Sequence, residues 1–264
     1  IPNIYISDST AKTFLLKINE SKISVKVDIE EELTSDNVLG YIEGTDLKEE
    51  LVIITAHYDH LGYDNGEVCN GADDDGSGTV SVIALAEAFQ KAKNDGYVPR
   101  RSILFMTVSG EEKGLWGSKY YAENPVYSLE KTVVDLNIDM IGRRDDEHEH
   151  DNYIYIIGAD RISTDLHLIN EKVNEKYIKF DLDYTYNEKT DPNQFYYRSD
   201  HYNFAKNGIP VIFYFSGVHK DYHKPTDDVD KINFDKVQKT TRMVFYTAWE
   251  IANRDQRLRM NGIK

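Results

Sequence analysis

Ser102-Ile103-Leu104-Phe105-Met106-Thr107-Val108 runs directly into Ser109-Gly110-Glu111-Glu112. The first part is short, apolar and rich in strand formers, the pattern of a strand buried on both faces. Two adjacent carboxylates at the mouth of such a strand repel each other and are costly to desolvate. A solvated turn would tolerate them. So would a cation that neutralised one acid and left the other free to move protons. Taken alone, the doublet leaves both readings open.

Working outward, Leu51-Val52-Ile53-Ile54-Thr55-Ala56 is apolar throughout and suits a central strand. Residues 23–29, 38–43, 132–138, 153–157 and Pro210–Phe215 also read as strands. Helices are expected over Gly76–Ala92, Gly117–Glu123 and Thr164–Tyr177, the last with Ser163 as N-cap. Another starts near Ser199-Asp200 and is closed by Gly208. The final helix opens at Asn233 or Asp235 and runs to Asn253. Residues 181–198, rich in Tyr, Asn, Asp and Pro, read as a long loop, and long loops inside domains are often functional. Strands alternating with helices predict an α/β three-layer sandwich with a mixed, mostly parallel central sheet flanked by helices. Ligands of such sheets bind beyond the carboxyl ends of the strands.

The 264 residues suffice for a single catalytic domain over 1–264, and no Pro/Gly/Ser-rich linker divides them. Net charge is -15, from 31 Lys+Arg against 46 Asp+Glu, which argues against nucleic acid or an anionic membrane as partner. Cys69 is the sole cysteine, so no intrachain disulfide can form. No apolar run approaches the ~20 residues that span a bilayer.

Each buried strand is followed by a metal-ligating type of residue. His57-Tyr58-Asp59-His60 follows the strand at 51–56, Glu111-Glu112 follows 102–108, Asp139 follows 132–138, and Tyr222-His223 comes after 210–215. Gly71-Ala72-Asp73-Asp74-Asp75-Gly76-Ser77-Gly78 leads into a helix. A strand-end His is usually polar punctuation, and an Asp/Gly run is usually a turn. Asp139, at the end of an apolar strand, is harder to dismiss. A zinc site of two His and several carboxylates uses these residue types, although spacing alone does not show that they converge.

In type and order these motifs resemble metallopeptidase family 28 over about residues 35–250. That family comprises two-zinc (co-catalytic) aminopeptidases related to glutamate carboxypeptidase and the transferrin receptor. The resemblance implies two Zn2+ per chain. Asp74 would bridge both ions, His57 and Asp139 would complete one site, and Glu112 and His223 the other. Glu111 would be the general base for a metal-bridging water, and Tyr222 would donate a hydrogen bond to the tetrahedral oxygen, its alternative being a buried structural Tyr. Asp59 would hydrogen-bond His57 and fix its tautomer, and the Asp74–Asp75 peptide would be cis. Asp73 and Asp75 would cap or turn.

The implied activity is removal of an N-terminal residue from peptides with a free N-terminus. A carboxypeptidase or N-acyl deacylase with the same metals, a glutaminyl cyclase, and a non-catalytic receptor-like domain are the alternatives. Arg198 is a candidate for substrate main chain or carboxylate, or else pairs with Asp200 at the surface. Phe195, Tyr196 and Tyr197 are candidates for a side-chain pocket, and His201 for a supporting position. His60 is expected to be structural, His148 and His150 to lie in a solvated loop, His167 to be an ordinary helix residue, and His219 to line the cleft. Ile1-Pro2-Asn3-Ile4-Tyr5-Ile6-Ser7 looks like the segment that follows an inserted protease-associated domain, with 1–34 then belonging to that segment. This implies the catalytic core of a longer, exported protein. Oligomeric state is not readable from the sequence.

Overall fold

In the computed structural model, the apolar runs become strands of a seven-stranded sheet. Residues 34–64 and 66–262 are described; the expected strand at 23–29 and the segment at 1–7 lie outside them. The strands are β1 (Val38–Ile42), β2 (Leu47–His57), β3 (Gly62–Asp64), β4 (Glu67–Cys69), β5 (Arg101–Val108), β6 (Thr132–Ile138), β7 (Tyr153–Ile157), β8 (Asp181–Asp183) and β9 (Val211–Phe215). The sheet order is β1-β5-β2-β6-β9-β7-β8, and β3 and β4 form a separate hairpin. The inner strands β5, β2, β6 and β9 run parallel. β1 and β7 pair antiparallel with β5 and β9, and β8 is parallel to β7. The mixed, mostly parallel sheet is as expected.

The helices are α1 (Gly78–Asn94), α2 (Trp116–Glu123), α3 (Thr164–Val173), α4 (His201–Ala205) and α5 (Phe234–Asn253). Because side chains alternate along a strand, β2 sends Val52, Ile54 and Ala56 to one face and Leu51 and Ile53 to the other. The first face packs on Val82, Leu85 and Phe89 of α1, Leu166 of α3 and Met243, Val244 and Ile251 of α5. The second packs on Tyr121 of α2 and Phe204 of α4. Both faces are thus covered, which is why the central strands read as continuous apolar runs rather than alternating ones.

The helix boundaries shift slightly. Asp74 and Asp75 are non-helical, so the regular helix starts at Gly78. Ser163 caps α3 through its hydroxyl oxygen, which accepts the Leu166 N–H. The region 181–198 is less irregular than expected: it contributes the edge strand β8 and single turns at Thr185–Asn187 and Phe195–Tyr197. Among the described residues no helix is long and apolar enough to cross a membrane.

Candidate metal centre

The carboxyl ends of β2, β5 and β6 point to one place. His57 is the last residue of β2 and Asp139 follows β6. After β5, Gly110 turns the chain with φ 72°, a conformation that suits glycine, and delivers Glu111 and Glu112. Asp74 lies in the turn that feeds α1, with a cis peptide bond to Asp75. His223 comes from the loop after β9, held at φ 55°.

Asp74 is the shared member. Its Oδ1 lies 3.2 Å from His57 Nε2, which is 3.7 Å from Asp139 Oδ1. Its Oδ2 lies 3.2 Å from His223 Nε2, which is 3.2 Å from Glu112 Oε2. His60 joins the same group, with Nδ1 2.9 Å from Glu112 Oε1 and 3.8 Å from Asp74 Oδ2. Two donor groupings able to hold a cation result, His57–Asp74–Asp139 and His60–Asp74–Glu112.

The donors fit a divalent metal. His57 Nε2, both His60 ring nitrogens, Asp74 Oδ2 and Glu112 Oε1 are buried without a hydrogen-bond partner. Such orphans are uncommon and call for a partner. Tetrahedral bonds of about 2.0–2.1 Å set ligand atoms roughly 3.4 Å apart, and the observed separations bracket that value. His nitrogens mixed with carboxylate oxygens are the donors zinc accepts.

Electrostatics follow from crowding. Burial lowers the His57 pKa, but Asp139 and Asp74 outweigh it and hold it well above the ordinary value. Burial raises Asp74, yet His223 and His57 bring it below the carboxylate range. The Asp74 and Glu112 carboxylates beside it raise His223 to about 9. Burial, opposed by His57 but reinforced by Asp139, Asp200 and Asp74, raises Glu111 to about 10. A cation held among those carboxylates would oppose their effect and lower Glu111.

A layer of further groups fixes the donors. His57 Nδ1 donates to the backbone carbonyl of Asp59 at 3.0 Å, leaving Nε2 to face Asp74. The expected partner, the Asp59 carboxylate, lies farther away at 3.7 Å. It accepts the Glu111 and Glu112 N–H groups instead, at 3.1 and 3.4 Å. Ser199 donates to Asp139 Oδ2 at 2.6 Å and itself accepts from Asn137, whose oxygen takes the Thr55 hydroxyl. Asp75 accepts the N–H groups of His57, Gly78 and Met140, and Asp73 accepts that of Gly142. Asp227 Oδ2 accepts from the backbone of both Asp73 and Asp74. Ser199 and Asp227 carry no legible signal beyond their closeness in sequence to residues already singled out.

A cavity opens on the site, lined by the polar Asp74, Glu111, Asp139 and His223 and by the apolar Met140, Phe195, Phe213, Phe215 and Val218. Tyr222 and Arg198 complete its lining, with an Arg198 nitrogen 3.5 Å from the Tyr222 hydroxyl. Arg198 does not pair with Asp200. Its guanidinium lies over the Phe195 ring, while Asp200 is fully buried and accepts from Ser118 at 2.5 Å.

Other candidates fall outside the cavity lining. His201 is fully buried, stacked on Phe213, with Nε2 donating to the Tyr196 carbonyl. Tyr197 packs edge-on against Tyr196 and Tyr202, and Tyr196 is buried beneath Arg161. His219 turns inward to Asp73, 3.3 Å away, rather than lining the cleft. His150 is exposed as expected, whereas His148 stacks on Tyr153 and reaches Asp145 at 2.9 Å. His167 sits on α3 beside Glu171.

The aminopeptidase YwaD of Bacillus subtilis is 27% identical over 233 residues, covering 85% of this chain and 46% of that protein. A probable leucine aminopeptidase of Arthroderma benhamiae is 29% identical over 212 residues, covering 77% of this chain and 55% of its own. The chain thus spans about half the length of these curated relatives. The solved structure of LapB from Legionella pneumophila shares the fold with a TM-score of 0.68 at 22% identity, over 83% of this chain and 56% of that one. The model for peptidase family M28 matches residues 37–248, a stretch that contains every donor described above. With most of its length covered by that match, the chain belongs to peptidase family M28.

Proposed function

We propose that this chain is the catalytic domain of a zinc aminopeptidase that removes the N-terminal residue of a peptide, using two Zn2+ that share Asp74. The observation that carries this reading is the division of the Asp74 carboxylate. One oxygen faces His57 and Asp139 at the sheet, and the other faces Glu112 and His223. The names borne by its relatives, aminopeptidase and leucine aminopeptidase, support the same activity.

When bound, zinc supplies a polarised carbonyl and a water acidic enough to ionise near neutral pH. The chain's own groups supply the rest. Glu111 lines the cavity, and of the acids in that lining it is the one outside both donor groupings. Its carboxylate takes a proton and returns it to the departing amine. The Asp59 carboxylate, by binding the Glu111 and Glu112 N–H groups, keeps the two acids directed to their separate tasks. The Tyr222 hydroxyl donates to the oxygen that gains charge as the carbonyl is attacked. Phe195, Phe213, Phe215 and Val218 offer an apolar wall to the side chain of the first residue.

Arg198 at the cavity favours a second reading, a peptidase or deacylase that grips a substrate carboxylate with the same centre. A panel of aminoacyl chromogenic substrates, free and N-acetylated, with and without chelator, separates the two. Cleavage of free-amine substrates that stops with chelator is expected. Cleavage restricted to blocked substrates would refute the aminopeptidase reading.

A further inference from the structure

We infer that His60 is a further ligand of the second metal, through Nδ1, beside Asp74, Glu112 and His223. The inference rests on the two-zinc reading above.

The argument starts from alignment. His60 Nδ1 and Glu112 Oε1 are 2.9 Å apart, yet neither atom has a hydrogen-bond partner. Two complementary atoms that close, and not bonded to each other, are both directed at a third point. Asp74 Oδ2, 3.8 Å from the same nitrogen, is another buried atom without a partner. His57 provides an internal standard. Its Nε2 lies 3.2 Å from Asp74 Oδ1 and is likewise without a hydrogen bond. The His60 nitrogen stands to its carboxylates as the His57 nitrogen stands to its own.

The position is also built for the ring. Gly71 adopts φ 61°, and a Cβ there would fall 2.5 Å from His60 Cγ, so the space is kept open by glycine and filled by imidazole. The side chain is only 9% exposed. His60 and His223 lie edge to face with ring centroids 5.8 Å apart, and they approach opposite oxygens of Glu112. Two imidazoles and two carboxylates are donors of the types zinc accepts.

X-ray absorption on the zinc-loaded wild-type protein counts the imidazoles directly. Three per pair of zincs are expected, and two would overturn the assignment. In chelator competition, His60→Ala should weaken one zinc equivalent at least tenfold and leave the other within threefold, with little change in the melting temperature of the metal-free protein. His60→Gln, which can still donate a hydrogen bond to Glu112, should weaken it as much. Recovery of wild-type affinity in His60→Gln would make His60 a hydrogen-bonding support and overturn the proposal. So would unchanged affinity in folded His60→Ala. A wild-type protein that binds no zinc would instead refute the underlying function.

Discussion

The two ends of Asp74 meet different surroundings. On the inner side, His57 and Asp139 sit at the ends of adjacent parallel strands, with His57 only 1% exposed. Asp75 grips the His57 backbone and Ser199 grips the Asp139 carboxylate. On the outer side, His223 comes from a loop and is 36% exposed. That loop is tied down by separate contacts: Asp227 to the backbone of Asp73 and Asp74, and Asp221 to Arg143 at 2.8 Å. Buried strands lend one half of the centre the rigidity of the sheet. The other half depends on a polar clamp of buried side chains that holds a loop, and its His223 is the more exposed donor.

The comparison breaks most completely at the residue the halves share. Asp74→Ala should abolish high-affinity zinc binding at both sites and all turnover, as metal analysis after dialysis would record. Retention of one tightly held zinc would mean that the halves are independent. Glu111→Gln should keep both metals and lose turnover by about 10²–10⁴-fold, the usual worth of a general base. Glu112→Gln should instead weaken one metal. Equal metal loss in the two variants, measured by chelator competition, would end the division of labour between these neighbours.

Smaller effects should distinguish the supports. Ser199→Ala and Asp227→Asn each remove a group that orients a donor, a change worth roughly 10–100-fold in metal affinity or activity. Ser199→Ala should act on the inner zinc, and Asp227→Asn more on the outer one. A competition curve with two resolved zinc equivalents would reveal the reverse pattern.

The smallest effect concerns the fold behind the cavity, and serves to separate its pH response from that of the metal centre. Burial lowers His201 to about 3, whereas the unfolded chain binds that proton at the ordinary 6.5. Between these values only the unfolded state is protonated. The contribution of His201 is therefore intact above 6.5 and falls as pH drops toward 3, by at most about 1.4 kcal/mol per pH unit. Urea melts at pH 7 and pH 5 should show a larger loss for the wild type than for His201→Gln. Parallel losses would place the acid sensitivity elsewhere.

The strand-end donors were legible because a buried strand announces itself by its apolar run, and a charged or ligating residue at its end has no apolar excuse. Residues 102–108 with Glu111 and Glu112, and 132–138 with Asp139, are such cases. His60, His219 and Asp227 were not legible in the same way. His60 and His219 occur in polar stretches where a solvated side chain is the ordinary outcome, and only the folded chain turns them inward, toward Glu112 and Asp73. Arg198 looked like a partner for Asp200 because they are neighbours in sequence, yet the turn at Phe195–Tyr197 sends one to the cavity and buries the other.

The sequence by itself determined the three-layer sandwich, its mostly parallel sheet and the motif order that marks the family, because hydrophobic periodicity and residue type are local properties. Tertiary structure decided which oxygen of Asp74 faces which histidine, that the Asp59 main chain rather than its carboxylate orients His57, and that His60 reaches the centre at all. These are matters of direction at the scale of an ångström. They depend on how strand ends, turns and glycine-made space meet in three dimensions, and no spacing along the chain encodes them.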